Sequence, residues 1–450
     1  MVNATGDPMP VDPARRLVCA DTLHQGTSSF AWTLADGTVF ETEKGAGVIG
    51  RLISAQYPNG LYKRVYRDSN GYITSVVQND GYMLKFAYPS SGVTTVTAIN
   101  MAVDYCPRST LAPCAFSRSW PTATISDGNP FVVINSTGAT WELQSDWNLN
   151  SSSYLTLKPF TADTSTHVYE LRNYKIYNGQ TWQIVANDLV YAVSTPWGDW
   201  SYGRSPNGSY NYKSNSHSPQ NTVRQVDYDS NGDINRIKQP DGRMVHYHPV
   251  TGLISSSTYP SISYEYDSRG NLTRVTSGDM ITQAGYPPSC PSYARKTCNK
   301  PDWVTDARGV KTAFNYVITH GGRNYMIEDS LNKRRMTAYR WVQKHAWVKN
   351  ASGSYSKLDV DGPRAVWLLE SVRTCRQSLM HSSGQFCHGG GDILTSYDYG
   401  SGNSSAPSNL HVRGEVVTAG GQSLRTCYKY DDLGNRISET APRANLASCP

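Results

Sequence analysis

The sequence predicts an all-β protein built from repeated antiparallel β-hairpins. Three observations lead to this fold class. Between Val223 and Thr276 a turn recurs about every ten residues, with Gly232, Gly242 and Gly252 at the corners. The composition, with 30 Tyr against 8 Phe, 37 Gly and 24 Pro, is typical of strands joined by many turns. No long segment shows the period of an amphipathic helix.

The residues before these glycines indicate hairpin turns. Asn-Gly and Asp-Gly suit two-residue loops of type I′, which need positive φ at both central positions. Between the turns side chains alternate, with Arg243, Val245 and Tyr247 on one face and Met244, His246 and His248 on the other. We therefore expect consecutive hairpins over residues 223–276, with Asn231-Gly232 and Asp241-Gly242 at two-residue or similarly tight turns.

A longer unit, Tyr-Asp-x-x-Gly, returns along the chain. The predicted repeat-turn residues are Asp229, Gly232, Asp241, Gly242, Asp267, Gly270, Asp431 and Gly434. A related unit, Arg67 to Gly71, stands near the start. Self-similarity at a fixed short period indicates a repeat architecture. These units resemble the YD repeats of the rearrangement-hotspot (RHS) family of bacterial proteins, over residues 57–88, 223–276 and 427–440 and more loosely over 301–316.

The repeats divide the chain into three regions. Residues 1–114 form an N-terminal region with YD-like repeats, in which Gly60, Gly71 and Gly81 keep the ten-to-eleven-residue step. Residues 115–221 lack the Tyr-Asp unit and are predicted as an aromatic-rich β insertion or a set of degenerate repeats. Residues 222–450 form the main YD-repeat region.

One spacing departs from simple alternation in the main repeat region. Ile234 and Ile237, like Leu272 and Val275, are three residues apart rather than two. A bulge or a strand covered on both faces would explain it.

Eight of the nine cysteines form local pairs. The disulfide candidates are Cys106 with Cys114, Cys290 with Cys298, Cys375 with Cys387, and Cys427 with Cys449. Cys19 is expected to be free. The absence of a Cys-x-x-Cys pair argues against the common zinc modules. Pairs that bracket loops indicate disulfides and an extracellular or bacterial cell-surface location; the alternative is reduced, buried thiols.

The net charge and the hydropathy of the sequence limit the kinds of partner that we expect. The net charge of +6 is spread along the chain, and no basic run exceeds Lys333–Arg335, so we expect no nucleic-acid partner. No apolar run is long enough for a membrane span. Residues 1–16 lack the apolar core of a signal peptide. If the protein is exported, the signal is missing, lies upstream in a longer parent, or is replaced by a dedicated secretion machine; we expect a piece of a longer parent.

Two motifs suggest chemistry that the rest of the sequence does not complete. Residues 387–391, Cys-His-Gly-Gly-Gly, resemble an esterase oxyanion loop, but no Gly-x-Ser-x-Gly elbow accompanies them. Asp229 to Asp233 begins like a calcium loop, yet Ile234 and Pro240 stand where Gly and Glu are required. We expect the Asp to cap its own turn instead.

Histidine clusters complete no metal site either. His246 and His248 share a strand face without an identifiable third ligand, and the spacing of Cys375, His381, Cys387 and His388 matches no known zinc module. The sequence therefore predicts no catalytic residue, no metal and no cofactor.

Tryptophan is concentrated between residues 120 and 200, at positions 120, 141, 147, 182, 197 and 200. Six such rings in a β segment could pack in a core or across strands, or could form a platform that stacks on sugars. The second interpretation gives the alternative function, a cell-surface carbohydrate-binding or adhesion module with glycan partners.

The RHS resemblance implies a different, structural role. In that family a strip of hairpins spirals into a hollow shell that encloses a C-terminal polymorphic toxin or is displayed at the cell surface. Each hairpin lacks a core of its own, so neighbours must pair edge to edge. The expected partners are a missing C-terminal toxin or the remaining shell of a longer parent. The chain shows neither the RHS core motif with its self-cleavage site nor a distinct toxin domain, so neither activity is carried over.

Overall fold

The structure is a computed structural model that describes residues 24–25, 29–43, 51–90, 92–111, 114–126, 131–134, 140–146, 153–158, 167–177, 182–195, 198–207, 211–217, 223–228, 234–239, 241–248, 252–258, 261–330, 333–375, 387, 391–444 and 446–449. Over these residues the chain consists of strands and turns, with two short 3-10 turns at Ser292–Ala294 and Pro442–Ala444. The predicted all-β fold class is confirmed.

The strands before residue 115 are short and closely spaced. They are β1 (His24–Gln25), β2 (Ser29–Thr33), β3 (Val39–Glu43), β4 (Arg51–Gln56), β5 (Tyr62–Arg67), β6 (Ile73–Gln78), β7 (Tyr82–Ser90) and β8 (Val93–Asn100). In β7 the buried side chains of Met83 and Lys85 alternate with the exposed Leu84. This alternation is what a strand with one covered face requires.

The region from 115 to 221 continues as strands. They are β9 (Thr122–Ser126), β10 (Phe131–Ile134), β11 (Thr140–Asp146), β12 (Ser153–Lys158), β13 (His167–Tyr177), β14 (Trp182–Thr195), β15 (Gly198–Asn207) and β16 (Asn211–His217). They belong to the same sheet as the strands on either side. The boundaries of this region as a separate unit stay a prediction.

The main repeat region supplies the longest series of strands. They are β17 (Val223–Tyr228), β18 (Ile234–Lys238), β19 (Met244–Tyr247), β20 (Ile254–Thr258), β21 (Ser261–Tyr266), β22 (Leu272–Ser277), β23 (Met280–Gly285), β24 (Trp303–Thr305), β25 (Lys311–Tyr316), β26 (Arg323–Ser330), β27 (Lys333–Lys344), β28 (Trp347–Lys349), β29 (Tyr355–Lys357), β30 (Val366–Cys375), β31 (Asp392–Asp398), β32 (Gly414–Ala419), β33 (Gln422–Tyr430) and β34 (Arg436–Glu439).

The described strands form one sheet of 32 strands and a separate hairpin, β28–β29. Each strand of the large sheet pairs antiparallel with the next strand along the chain, and β27 pairs with β30 across the inserted hairpin. The molecule is therefore a continuous strip of hairpins, including the predicted ones in 223–276.

The repeat turn has a defined geometry, seen at Asp431 to Asn435. The amide of Gly434 donates to the carbonyl of Asp431, and the amide of Asp431 donates to the carbonyl of Asn435. One carboxylate oxygen of Asp431 accepts from the amides of Leu433 and Asn435, at 3.0 and 2.7 Å. Gly434 has a φ of +88°. The Asp side chain thus caps its own turn.

The same turn closes several hairpins, with Asp267 and Gly270, and Asp306 and Gly309, in equivalent positions. Asp229 and Gly232 lie outside the described residues. At Asp241-Gly242 the predicted tight turn is present, since the amide of Gly242 donates to the carbonyl of Gln239 at 3.0 Å. It is not the type I′ turn that an Asp-Gly pair favours, because Gly242 has a φ of +85° but Asp241 is not among the described residues with positive φ. The Asp241 side chain accepts a bond from the amide of Arg243 at 3.0 Å.

A bulge explains the three-residue spacing of apolar side chains. Tyr228 pairs with Ile234, while its neighbour Asp227 pairs with Arg236, so one residue of β18 is extra. A register shift of the same kind lies between β21 and β22, at Glu265/Tyr266. The bulge returns Ile234 and Ile237 to one face of the sheet.

Because every strand reverses the direction of the one before, the connections lie alternately at two margins of the strip. We call the margin that carries connections 34–38, 57–61, 79–81 and 101–121 the leading margin. The opposite, trailing margin carries connections 286–302, 317–322, 345–365, 399–413 and 431–435.

Packing differs along the strip. Residues 252–258 and 261–285 include no buried residue, so neither face of this part of the sheet is fully covered. The main core lies elsewhere, where early strands meet late connections. Its fully buried members include Val77 and Met83 from β6 and β7, and Leu358 and Val360 from the connection between β27 and β30.

Candidate functional site: the seam between early and late strands

The leading margin of β2–β9 lies against the trailing margin of β23–β34, and we call this line of contact the seam. The sequence separation of the contacting residues is 264, 299, 329 and 332 residues at four points along it. Those points are Asn299 to Ala35 (2.9 Å), Tyr62 to Asp361 (2.8 Å), Asn409 to Asp80 (3.3 Å) and Asn100 to Asp432 (2.8 Å).

From one of these contacts to the next, the early residue and its late partner both move forward along the chain. Such an arrangement arises when a strip winds round and its second winding lies beside its first. The seam is therefore the feature that closes the strip on itself.

The seam at Tyr62 is a cluster of polar side chains around one buried ring, that of Tyr62. The Tyr62 hydroxyl donates to the carboxylate of Asp361, and Arg64 Nε lies 3.2 Å from the same carboxylate oxygen. The Arg364 guanidinium stacks on the Tyr62 ring, 4.1 Å from its centre. Burial, and next the nearby Asp361, raise the pKa of Tyr62 although a Ser54 hydrogen bond opposes them. The hydroxyl therefore stays protonated and keeps its bond across the seam.

Backbone groups also meet at this point. The amide of Trp367 donates to the carbonyl of Asn59 at 2.8 Å. A Cβ on Gly60 would lie 2.7 Å from the carbonyl oxygen of Ala365. Gly60 thus serves both the turn, with a φ of +85°, and the close approach of the two windings.

Further along, the seam is formed by Tyr82 and His411. The Tyr82 hydroxyl is 2.7 Å from His411 Nε2, and the His411 ring stacks on Tyr430 with 4.5 Å between ring centres. Burial first, then Asp80 and Asp431, raise the pKa of Tyr82 to about 12. Burial lowers the pKa of His411, with Asp80 acting against it. The pair is neutral at physiological pH.

The repeat-turn residue Gly434 has a second role here, since a Cβ on it would lie 2.1 Å from the Tyr82 hydroxyl. Among the described residues Asp80 Oδ1 has no hydrogen-bond partner although it is buried, and burial raises the pKa of this carboxyl. The seam thus contains polar groups whose protonation burial controls.

In the structure the four predicted cysteine pairs form disulfides. Their Cα–Cα distances are 5.4 Å for Cys106–Cys114, 5.2 Å for Cys290–Cys298, 5.6 Å for Cys375–Cys387 and 5.3 Å for Cys427–Cys449. Cys19 lies outside the described residues. Two of the bridged loops, 106–114 and 290–298, sit at the seam.

The first of these loops folds over the sheet. Lys85 Nζ donates to the carbonyls of Pro107, at 2.7 Å, and Thr110, and Thr74 Oγ1 donates to the carbonyl of Arg108 at 2.6 Å. Burial lowers the pKa of Lys85. The Arg108 side chain then crosses the seam and donates to the carbonyl of Asp359.

Trp120 belongs to the core rather than to a binding platform. It is 5% exposed, and its indole N–H donates to Asp104 at 2.8 Å. Burial disfavours the charged form of Asp104, but the hydrogen bonds that its carboxylate accepts from Ser117 and Trp120 outweigh burial and lower the pKa of Asp104. Of the other tryptophans in this region, those at 141, 182 and 200 lie in strands, and those at 147 and 197 lie outside the described residues.

The histidine pair and the Cys-His-Gly-Gly-Gly motif form no binding or catalytic site in the described part of the chain. His246 lies in β19 and His248 just after it, and no three His, Cys, Asp or Glu side chains come together among the described residues as a metal site would need. Cys387 is buried in its disulfide, and His381 and residues 388–390 lie outside the described residues.

Among the clefts that the described residues form, one of about 230 Å³ is lined by Lys63, Leu84, Trp120 and Leu433 among others. The second, of about 460 Å³, is lined by Lys300, Tyr316, Arg323 and Trp341 among others. Neither lining contains a Ser, Cys, His, Asp or Glu side chain. In the described residues no helix has the length and apolar character of a bilayer span.

Sequence reasoning missed the seam residues Tyr82, Asp361, Asn299 and His411. Each is an ordinary turn or strand residue, and its partner lies more than 260 positions away. No local pattern signals such a contact.

No family model and no curated protein matches the chain. Solved structures that resemble it include toxin complexes. The Photorhabdus luminescens Tc holotoxin pore with a TccC3 mutation shows 9% identity and a TM-score of 0.33, covering 91% of this chain and 24% of that one. The complexes TcdB2-TccC3-TEV and TcdB2-TccC3 show 12% and 13% identity, TM-scores of 0.31 and 0.28, and coverage of 92% and 91% of this chain. The chain spans 29% and 26% of those two chains.

Proposed function

We propose that the chain is a non-enzymatic structural segment of an RHS-type β shell, whose windings enclose a polypeptide cargo. The observation that carries this proposal is the order of the seam contacts, in which the partners of 35, 62, 80 and 100 are 299, 361, 409 and 432. A strip that winds beside itself in register bounds a space, and a flat or randomly folded strip would not keep this order.

The thin wall supports the same role. Residues 252–258 and 261–285 have no buried member, so neither face of the sheet is fully covered there. A wall of one sheet leaves an inner face available to cargo, whereas a packed domain would bury one face of each strand. The YD-repeat motif favours a toxin, or the rest of a longer shell, as the partner.

Local stability in such a wall must come from neighbours and covalent links. A hairpin without a packed second layer is marginal in water. The four disulfides close loops that restrict the unfolded chain, which suits an extracellular or bacterial cell-surface protein.

Small-angle X-ray scattering tests the proposal. A compact protein of this length has a radius of gyration of about 22 Å. A hollow, wound strip of the same mass must exceed that value and show a distance distribution with depleted short vectors. A radius near the compact value would contradict the shell.

A second experiment separates the shell from the other functions considered. The purified chain is expected to show no turnover of ester, peptide and glycoside substrates and no specific signal on a glycan array. Turnover abolished by one substitution, or saturable binding of one glycan class, would replace the proposal with an enzyme or a carbohydrate-binding module.

A further inference from the structure

The loop between β23 and β24, residues 286–302, is the junction of three connections. It contacts the turn of the first winding, where Asn299 Nδ2 donates to the carbonyl of Ala35 at 2.9 Å and Arg295 donates to Thr33 Oγ1 at 3.4 Å. A Cβ on Gly37 would lie 2.9 Å from Lys296 Cα, so the two backbones are in close contact.

The same loop also holds its neighbours on the trailing margin. Asn271 Nδ2 donates to Asn299 Oδ1 at 3.2 Å, and Arg269 donates to the carbonyl of Pro287 at 2.5 Å. Lys296 Nζ donates to the carbonyl of Thr319 at 2.7 Å. The conformation of this one loop therefore decides whether three turns stay together.

The Cys290–Cys298 disulfide fixes that conformation. Apart from it, the described backbone bonds within the loop are those of two short turns, among them Cys298 to Ala294 at 2.9 Å and Lys300 to Thr297 at 2.9 Å. Turns this short are marginal without a constraint. Cys298 is 1% exposed, whereas Cys290 is half-buried and follows the exposed Ser289. A soluble thiol can therefore reach the bond from the side of Cys290.

We propose that Cys290–Cys298 is a thiol-sensitive clasp that holds the first winding to the later one in an oxidising medium and releases it in a reducing one. This inference rests on the proposed shell function and adds to it a condition for opening. A thiol such as glutathione attacks Cys290 Sγ as the thiolate, and Cys298 leaves as a thiolate that takes up the proton. A second thiol displaces Cys290. Two thiols are thus oxidised to one disulfide, and two cysteine thiols are formed.

The Cys375–Cys387 disulfide offers a matched control. Its sulfurs are buried, with exposures of 0% and 3%, and pack against Met336 and Ala338. It bridges the connection between β30 and β31, at the leading margin of late strands and away from the seam contacts named above. Loss of this bond removes a loop constraint of similar size without touching the clasp.

Hydrogen exchange measured by mass spectrometry on the full chain tests the clasp. In the C290S/C298S variant, exchange in residues 29–43 and 286–302 is expected to rise by at least about ten-fold, in line with the loop-closure constraint that is lost. The C375S/C387S variant is expected to leave both segments unchanged. If only 286–302 loosens while 29–43 stays protected, or if both variants act alike, the clasp is refuted.

Stepwise reduction of the unmodified chain gives an answer even if the clasp variant does not fold. Glutathione is titrated under native conditions, new thiols are alkylated and mapped, and scattering follows the radius of gyration. Cys290 and Cys298 are expected to be alkylated before Cys375 and Cys387, together with an increase in radius. Reduction of this pair without a change in radius would refute the clasp, whereas a compact radius in the oxidised chain would refute the shell itself.

Discussion

Replacement of Gly60 by alanine should destabilise the seam more than it destabilises the turn. Gly242 provides the matched control, since both glycines have a φ of +85° and close the same type of turn. No atom of the described residues lies within 4 Å of a Cβ on Gly242, whereas a Cβ on Gly60 would lie 2.7 Å from the carbonyl oxygen of Ala365. The difference between the two variants isolates the contact between windings.

The magnitudes follow from the two contributions. Alanine at positive φ costs about 1 kcal/mol in either variant. In Gly60→Ala the Ala365 carbonyl must also move away, and the bond from the Trp367 amide to Asn59 lengthens with it. Losing that bond and leaving the half-buried amide and carbonyl unpaired adds about 2 kcal/mol.

Hydrogen exchange at the Trp367 amide is the suitable measurement, because a chain of repeats can unfold in parts and a single unfolding free energy then loses its meaning. An extra 2 kcal/mol corresponds to about 30-fold faster exchange in Gly60→Ala than in Gly242→Ala. Equal exchange in the two variants would show that residues 365–367 do not pack on the first winding, and the seam would be refuted at this point.

Three further predictions concern single side chains. Tyr62→Phe removes the bond to Asp361 and should weaken protection of the seam by about 1 kcal/mol; the control Tyr266→Phe, which loses a bond to Ile254 within the strip, should leave the seam intact. Burial lowers the pKa of His411, so the unfolded chain binds a proton that the folded chain does not, and stability should fall as pH drops below about 6.5. Burial lowers the pKa of His320 as well, and this residue acts on stability in the same direction. His411→Gln should therefore make the loss of stability at low pH smaller without abolishing it. If the variant has the same pH profile as the unmodified chain, His411 does not cause the loss. In the described sheet β34 pairs with β33 alone, and its Ile437 is 64% exposed. We therefore expect the chain to self-associate through this open edge. Light scattering should show that Ile437→Lys suppresses association, whereas the control Leu424→Lys, on β33 with a partner on each side, does not.

The strip could be predicted from the sequence because its determinants are local. Glycine spacing, strand alternation and the Asp of the repeat turn act within about ten residues, and each cysteine pair brackets a single connection. The departure from type I′ geometry has a local cause as well. At Asp241-Gly242 the Asp side chain accepts a bond from the Arg243 amide, and the Asp is not among the described residues with positive φ.

The seam could not be predicted, because it depends on how strand twist accumulates over some 300 residues. Asn299 and Ala35 are ordinary loop residues, and nothing near either one specifies the other. The same holds for Tyr82 and His411, which are 329 positions apart. Such partners are fixed by the curvature of the whole strip, which a pattern in one short segment does not encode.

Zero-length carbodiimide cross-linking of the monomeric protein, mapped by mass spectrometry, tests the central claim that the strip winds beside itself. Asp36 is exposed at the turn of the first winding, and its charge acts on the half-buried Lys300 across the seam. If the windings meet at the seam, a Lys300–Asp36 cross-link forms within one molecule. If the cross-links of Lys300 are confined to carboxylates of residues 286–330, with none to residues 29–43, the windings do not meet and the shell is contradicted.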